Sequence, residues 1–159
     1  MIFDNKTTTI RVYLWKMFLA IFFAVVIVFF LASDWFNKPF IGLERSGLIL
    51  IAVGSYLVII IFIYFLDLNY VYFNDDGERI ILRYYPIRPI GRKKRSVEIP
   101  KIAFAKYEIK KSFFNLKRSL IFYQKVKKNV AKYPPIGITS MTKAEREILE
   151  KQLLKYIRP

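Results

Sequence analysis

Two adjacent carboxylates, Asp75 and Asp76, three clustered hydroxyls, Thr139, Ser140 and Thr142, and three groups of cations are the side chains here whose type and spacing could do chemistry. Paired carboxylates can serve general acid and base. Here they stand in Asn74-Asp75-Asp76-Gly77 between two β-rich runs, a tight-turn signal that accounts for both acids. A hydroxyl becomes a nucleophile only beside a base. The chain contains no histidine and no cysteine, which excludes imidazole and thiol chemistry, disulfides and Cys or His metal ligands. The three hydroxyls therefore read as helix-cap residues. Phosphate-cradling glycine loops and metal-ligand spacings are absent from the sequence. An enzyme is disfavoured, and neither a cofactor nor a metal is expected.

The cations carry what chemistry is left. They form three clusters: Arg88, Arg92, Lys93, Lys94 and Arg95; Lys110, Lys111, Lys117 and Arg118; and Lys125, Lys127 and Lys128. Such groups can hold anionic lipid headgroups, an acidic protein surface or nucleic acid. Their plainer reading is solvated turns, because turns collect lysine and cytoplasmic segments of membrane proteins are basic for topological reasons alone. Phe113, Phe114, Tyr123 and Tyr133 lie among these lysines, as a base-stacking platform requires. Alternating aromatics, however, more often fill a sheet core, and neither a recognition helix nor an RNA-sheet signature is present. Nucleic acid is the less favoured partner.

The elements that must position these clusters follow from how charge and hydropathy are distributed. Residues 1–66 hold five basic residues and the rest of the chain holds 22, so the boundary falls near Leu66. Residues 12–33 form one apolar run, broken only by Lys16, and residues 46–66 form a second run without charge. A bilayer core of about 30 Å takes about 20 helical residues, so both runs read as transmembrane helices, with Lys16 snorkelling to the headgroups. Neither a small-x-small cleavage site nor a short apolar stretch marks the first as a signal peptide. Ala20, Ala24, Gly47, Gly54 and Ser55 are small residues at which the two helices could approach closely, or at which a homo-oligomer could pack. Apart from Lys16 no ionisable residue lies in either run, which argues against an ion pathway.

Charge sets the expected orientation. The flank before the first run, residues 1–11 extended to Lys16, carries three cations and one acid. The loop 34–45, with Trp35, Phe36 and Phe40 as interfacial anchors, is neutral, and 22 cations against nine acids follow Leu66. The positive-inside rule then puts both termini in the cytoplasm and only the loop outside. With a composition that fits a low-GC bacterial genome, the expected location is a bacterial cytoplasmic membrane.

Beyond Leu66 the pattern has mostly a period of two. Leu68 to Phe73 and Arg79 to Tyr85 read as a hairpin, Ser96 to Ile99 as a short strand, and Ile102 to Lys111 as a half-buried strand. Arg118 to Gln124, Val130 to Tyr133 and Ile136 to Ile138 complete the set. The period then becomes helical: Thr142 and Glu145 form a capping box, Ala144, Ile148, Leu149, Leu153, Tyr156 and Ile157 an apolar stripe, and Glu147 with Lys151 a favourable pair on the wet side. The fold class is therefore α+β, a helical hairpin joined to a curled antiparallel sheet that a C-terminal helix covers.

A two-helix hairpin, an Ile99-Pro100 step followed by Ile102, and a last helix introduced by the short strand and polar cap of Ile136 to Thr142 resemble the bacterial pleckstrin-homology-like domains of small membrane proteins. The resemblance covers the whole chain as architecture, and it implies a barrel or sandwich with a binding or scaffolding role. One departure is that lipid-binding pleckstrin-homology domains have a basic first hairpin loop, whereas this one is Asp75-Asp76-Gly77. The expected function is that of a membrane-anchored accessory or scaffold protein whose residues 67–159 bind a protein partner or anionic lipid. A small pore-forming or toxin-like protein and a membrane-tethered nucleic-acid-binding domain are the alternatives.

Overall fold

The computed structural model describes residues 1–37, 42–88 and 93–157. They divide into two units, Met1–Val12 with Leu66–Pro159, and Tyr13–Phe65.

The larger unit contains two antiparallel sheets and a helix. The first sheet has the order β1 (Ile2–Asp4), β2 (Asn69–Asn74), β3 (Arg79–Pro86) and β4 (Arg95–Pro100). The second pairs β5 (Phe104–Ser112) with β6 (Lys117–Val126), and β6 with both β7 (Asn129–Lys132) and β8 (Ile136–Gly137). Alternation decides what each strand buries: Val71 and Phe73 on β2, Ile80, Leu82 and Tyr84 on β3, and Val97 and Ile99 on β4 form one wall of the core. Phe104, Leu120 and Phe122 form the other. A single turn of 3₁₀ helix, Lys101–Ala103, replaces the expected start of β5 and leaves Ile102 exposed. A bulge between Phe104 and Lys106 then resets the phase. The extra residue lets Phe104 point into the core while the later alternation, Tyr107 and Ile109 inward with Lys106, Glu108 and Lys110 outward, is kept.

Helix α3 (Lys143–Leu154) opens on the expected capping box, in which the Thr142 hydroxyl accepts from the Glu145 amide at 3.2 Å and the Glu145 carboxylate accepts from the Thr142 amide at 2.6 Å. Its buried stripe is narrower than the periodicity predicts. Leu149 and Leu153 are fully buried, and Tyr156 and Ile157 pack against the core, while Ala144 and Ile148 face outward. Glu147 pairs with Lys143 at 3.8 Å, one turn earlier than the expected Lys151.

The segment before the first apolar run joins the sheet of the larger unit. Ile2–Asp4 forms β1, pairing Ile2 with Asn74 and Asp4 with Tyr72. Phe3 packs against Phe73, with ring centroids 6.2 Å apart. Asn5, fully buried, then acts as a polar rivet. Its side chain accepts from the Val71 amide at 2.8 Å and donates to the Asn69 carbonyl at 3.2 Å and the Ser140 hydroxyl at 3.1 Å. Met1–Val12 and Leu66–Pro159 thus belong to one folded body.

The smaller unit holds two long apolar helices. α1 (Lys6–Ala32) begins in the larger unit and runs 27 residues, and α2 (Arg45–Phe65) runs 21. At about 1.5 Å per residue these measure about 40 and 32 Å. Both are long and apolar enough to cross a membrane. α1 buries none of its residues, and α2 buries only Ala52 and Ile63. Phe23 and Tyr56, 5.3 Å apart between centroids, link the helices, and the Arg45 guanidinium donates to the Ser33 carbonyl at 2.8 Å. A Cβ on Gly54 meets nothing within 4 Å, and one on Gly47 meets only Leu43 of its own neighbourhood. Ala24 and Ser55 are exposed, and Ala20 is half-buried. Lys38 and Phe40 lie outside the described residues.

Candidate functional site

Strand register gives the larger unit two ends. β2 starts at Asn69, just after the chain leaves α2, and runs to Asn74, where the β2–β3 turn places Gly77 at φ 77°. Asn69 pairs with Pro86, so the segment after β3 and the start of β4 return to the Leu66 end, as does Asn5 from the other terminal segment. Gly137 lies there too. Its carbonyl accepts from the Asn69 side chain at 3.2 Å, and a Cβ at Gly137 would fall 2.6 Å from both the Asn69 amide nitrogen and the Asp67 carboxylate. Only glycine lets β8 approach that closely. Because Gly137 pairs with Ser119 and Ser119 with Lys110, the β5–β6 hairpin also points its turn to this end.

The three cation clusters sort accordingly. Arg88, Lys93 and Arg95 converge on a pocket of about 180 Å³ at the Leu66 end, whose other walls are Asp67, Asn69, Tyr84, Pro86, Pro135 and Gly137. Lys94 is exposed beside it, and Arg92 lies outside the described residues. Lys110 and Lys111 are exposed and Lys117 and Arg118 half-buried on the two strands of the β5–β6 hairpin, at the same end. Lys125, Lys127 and Lys128 occupy the β6–β7 turn at the opposite end, with Lys127 at φ 53°. Two clusters are therefore brought together and the third is not. Arg146, missed by the sequence reading because it stands in a charge-balanced helix, lies beside Arg118 of the second cluster. Burial, and then the nearby Arg118 charge, hold its guanidinium below its ordinary value, and it donates to the Met141 carbonyl.

Of the three hydroxyls, Thr142 alone is a cap. Thr139 Oγ1 accepts from the Arg118 amide at 3.0 Å, and Ser140 donates to the Asn69 carbonyl, so these two tie the approach to α3 onto β6 and β2. Asp75 and Asp76 are more than turn residues. The Asp76 amide closes the turn by donating to the Asn74 side-chain oxygen at 2.7 Å, and both carboxylates accept from the Met1 amino group. Asp75 also accepts from the Tyr156 hydroxyl at 2.9 Å, and Lys101 sits 4.9 Å from the Tyr156 ring centre. Burial would raise the Asp75 carboxyl, but the amino group, Tyr156 and Lys101 together hold it below its ordinary value of 3.8. This network closes the far end of the unit, beside an open groove of about 600 Å³ that Arg79, Pro100, Lys101 and Lys155 border.

The aromatics expected in the core or in a stacking platform divide. Tyr133 packs against the core, and Tyr123 lies on the outer face, donating to Glu108 at 2.8 Å with Lys106 over its ring at 4.9 Å. Phe113 and Phe114 stand at the tip of the β5–β6 turn, 46% and 93% exposed. Phe113, Phe114 and Asn115 have φ of 53°, 52° and 65°, a left-handed conformation that costs about 1–2 kcal/mol for each residue bearing a Cβ. No family model, curated protein or solved structure matches the chain. What the molecule defines by itself is an α+β protein with two helices of membrane-spanning length and a β unit in which two of the three cation clusters lie at the Leu66 end and the third at the other.

Proposed function

We propose that this chain is a non-enzymatic accessory or scaffold protein of a bacterial cytoplasmic membrane, with both termini in the cytoplasm and a pleckstrin-homology-like β domain held on the inner leaflet. The observation that carries this reading is the meeting of the basic pocket with the chain's exit into α2. Arg88, Lys93 and Arg95 line the same pocket as Asp67, the second residue beyond that helix. Two helices with almost no buried residues find a partner for their apolar surface in lipid, which water would not supply. Three linking residues span at most about 11 Å, so the pocket stays close to the headgroups. A phosphate there meets three cations within a Debye length of about 8 Å.

Anionic lipid is the ligand that this charge fits, and a protein partner would bind on the surfaces that the lipid leaves free. The acidic first turn removes the loop that pleckstrin-homology domains of the lipid-binding kind use, so this headgroup site is at a different place in the fold. The test is thermal unfolding of the full chain in nanodiscs. Anionic lipid should raise the transition over that in zwitterionic lipid, because a ligand that binds only the folded state stabilises it. Lys93→Glu with Arg95→Glu should clearly reduce that rise and leave the value in zwitterionic lipid unchanged. An equal rise in the double variant would remove the pocket from consideration. Extraction of the unaltered chain from vesicles by alkaline carbonate would remove the membrane reading itself.

A further inference from the structure

We infer that the tip of the β5–β6 hairpin is a second membrane contact, an aromatic wedge that enters the interface of an anionic bilayer. The inference deepens the membrane-anchored reading above and rests on it. Three apolar side chains, Phe113, Phe114 and Leu116, are 46%, 93% and 50% exposed within four residues. The turn that holds them is built from three consecutive residues in the left-handed region, none of them glycine. The Leu116 amide donates to the Phe113 carbonyl at 3.0 Å, and the rings of Phe113 and Phe114 stand edge to face at 6.2 Å. The turn is thus a defined shape that presents rings outward.

Charge identifies the occupant. Lys110, Lys111, Lys117 and Arg118 stand directly behind the tip, Lys111 paired with Arg118 across the two strands. Rings that enter the acyl boundary below cations at headgroup level match the aromatic and basic girdle of interfacial segments. Each cation near an anionic surface is worth about fivefold in affinity. Position agrees: Ser119 pairs with Gly137, which touches the Asp67–Asn69 segment, so the tip is at the end of the unit from which α2 departs. At about 3.4 Å per residue the tip reaches about 10 Å past the Ser119–Gly137 pair. The far-end turn, with Lys125, Lys127 and Lys128, is equally basic but carries no aromatic side chain.

The absence of cysteine makes the test direct. Single variants Phe114→Cys, Asn129→Cys in the far-end turn and Ile21→Cys within α1 are each labelled with an environment-sensitive fluorophore, and the full chain is reconstituted at one copy per nanodisc. Quenchers are carried either by the lipid chains or by the water. The expected result is that labels at 114 and 21 are quenched by the lipid-borne probe in anionic discs while the label at 129 is quenched only from water. Doubling Lys110→Glu with Lys117→Glu should return the label at 114 to water. A label at 114 as open to the aqueous quencher as that at 129, with 21 still lipid-quenched, overturns the wedge and leaves the anchor standing. A label at 21 open to water overturns the anchor. Shielding at 114 that appears only when two copies share a disc identifies a second copy as the occupant and likewise overturns the wedge.

Discussion

Asn5 ties the N-terminal segment into the sheet through three buried hydrogen bonds. It is fully buried at the start of α1, where it saturates the amide of Val71 and the carbonyl of Asn69. Asn5→Ala leaves that buried amide without an acceptor, which costs about 1–3 kcal/mol. The expected consequence is a transition lowered by about 4–8 °C per kcal/mol lost, measured by thermal unfolding in detergent. An unchanged transition would mean that the Asn5 side chain contributes nothing to the fold. Asp75 gives a prediction in pH. Its carboxyl is held below 3.8 by the Met1 amino group, Tyr156 and Lys101 against the opposing effect of burial. A depressed carboxylate contributes stability that is present above its unfolded value and disappears as pH falls through the folded one. Asp75→Asn should therefore be less stable than the parent at neutral pH and converge with it in acid below 3.8, as read by unfolding midpoints across the range. Parallel curves would show that the carboxylate's charge plays no part.

At the scale of elements, β1 is the part that stability depends on and that sequence alone does not reveal. A truncated domain that begins at Leu66 would expose the β2 edge, uncover Phe73 where Phe3 packs, and orphan the Val71 amide. Residues 66–159 expressed alone should therefore aggregate or unfold at lower temperature than a version in which residues 1–12 are joined to Leu66 by a glycine-serine linker. Equal behaviour on size exclusion and unfolding would show β1 to be dispensable. The reason that β1 escapes a sequence reading is physical. Three residues have no measurable period, and their partners lie about seventy positions away, so nothing local records the pairing. The strands from Asn69 to Gly137 and the capped helix were legible because alternation and capping are local. The start of β5 was not, since a 3₁₀ turn and a bulge break the period at Lys101 to Lys106. The candidate site was legible as composition only. That Lys93 and Lys117 share an end while Lys127 does not is a matter of register, and the outward turn of Phe113 and Phe114 follows from backbone angles that bulky side chains rarely adopt.

For the whole molecule, the chief consequence is topological. Met1–Val12 and Leu66–Pro159 fold together, so the segments that flank the two apolar helices are on one side of any membrane those helices cross. An arrangement in which the termini face opposite compartments would have to unfold β1 and remove Asn5 from its buried site. The number of crossings is consequently even, whatever the charge balance. On the proposed reading charge then sets the side, because 22 cations against nine acids follow Leu66 while the loop between the helices is neutral. Single-cysteine variants in the cysteine-free chain settle this cleanly. Trp35, 87% exposed at the end of α1, and Lys143, exposed at the start of α3, mark the two compartments. Trp35→Cys should react with a membrane-impermeant maleimide in intact cells, and Lys143→Cys only after lysis. Because the fold itself links the termini, Ile2→Cys should follow Lys143→Cys in every condition. Labelling of Lys143→Cys in intact cells would reverse the orientation, and a different response at position 2 would mean that the chain does not close its first strand onto the sheet in the membrane.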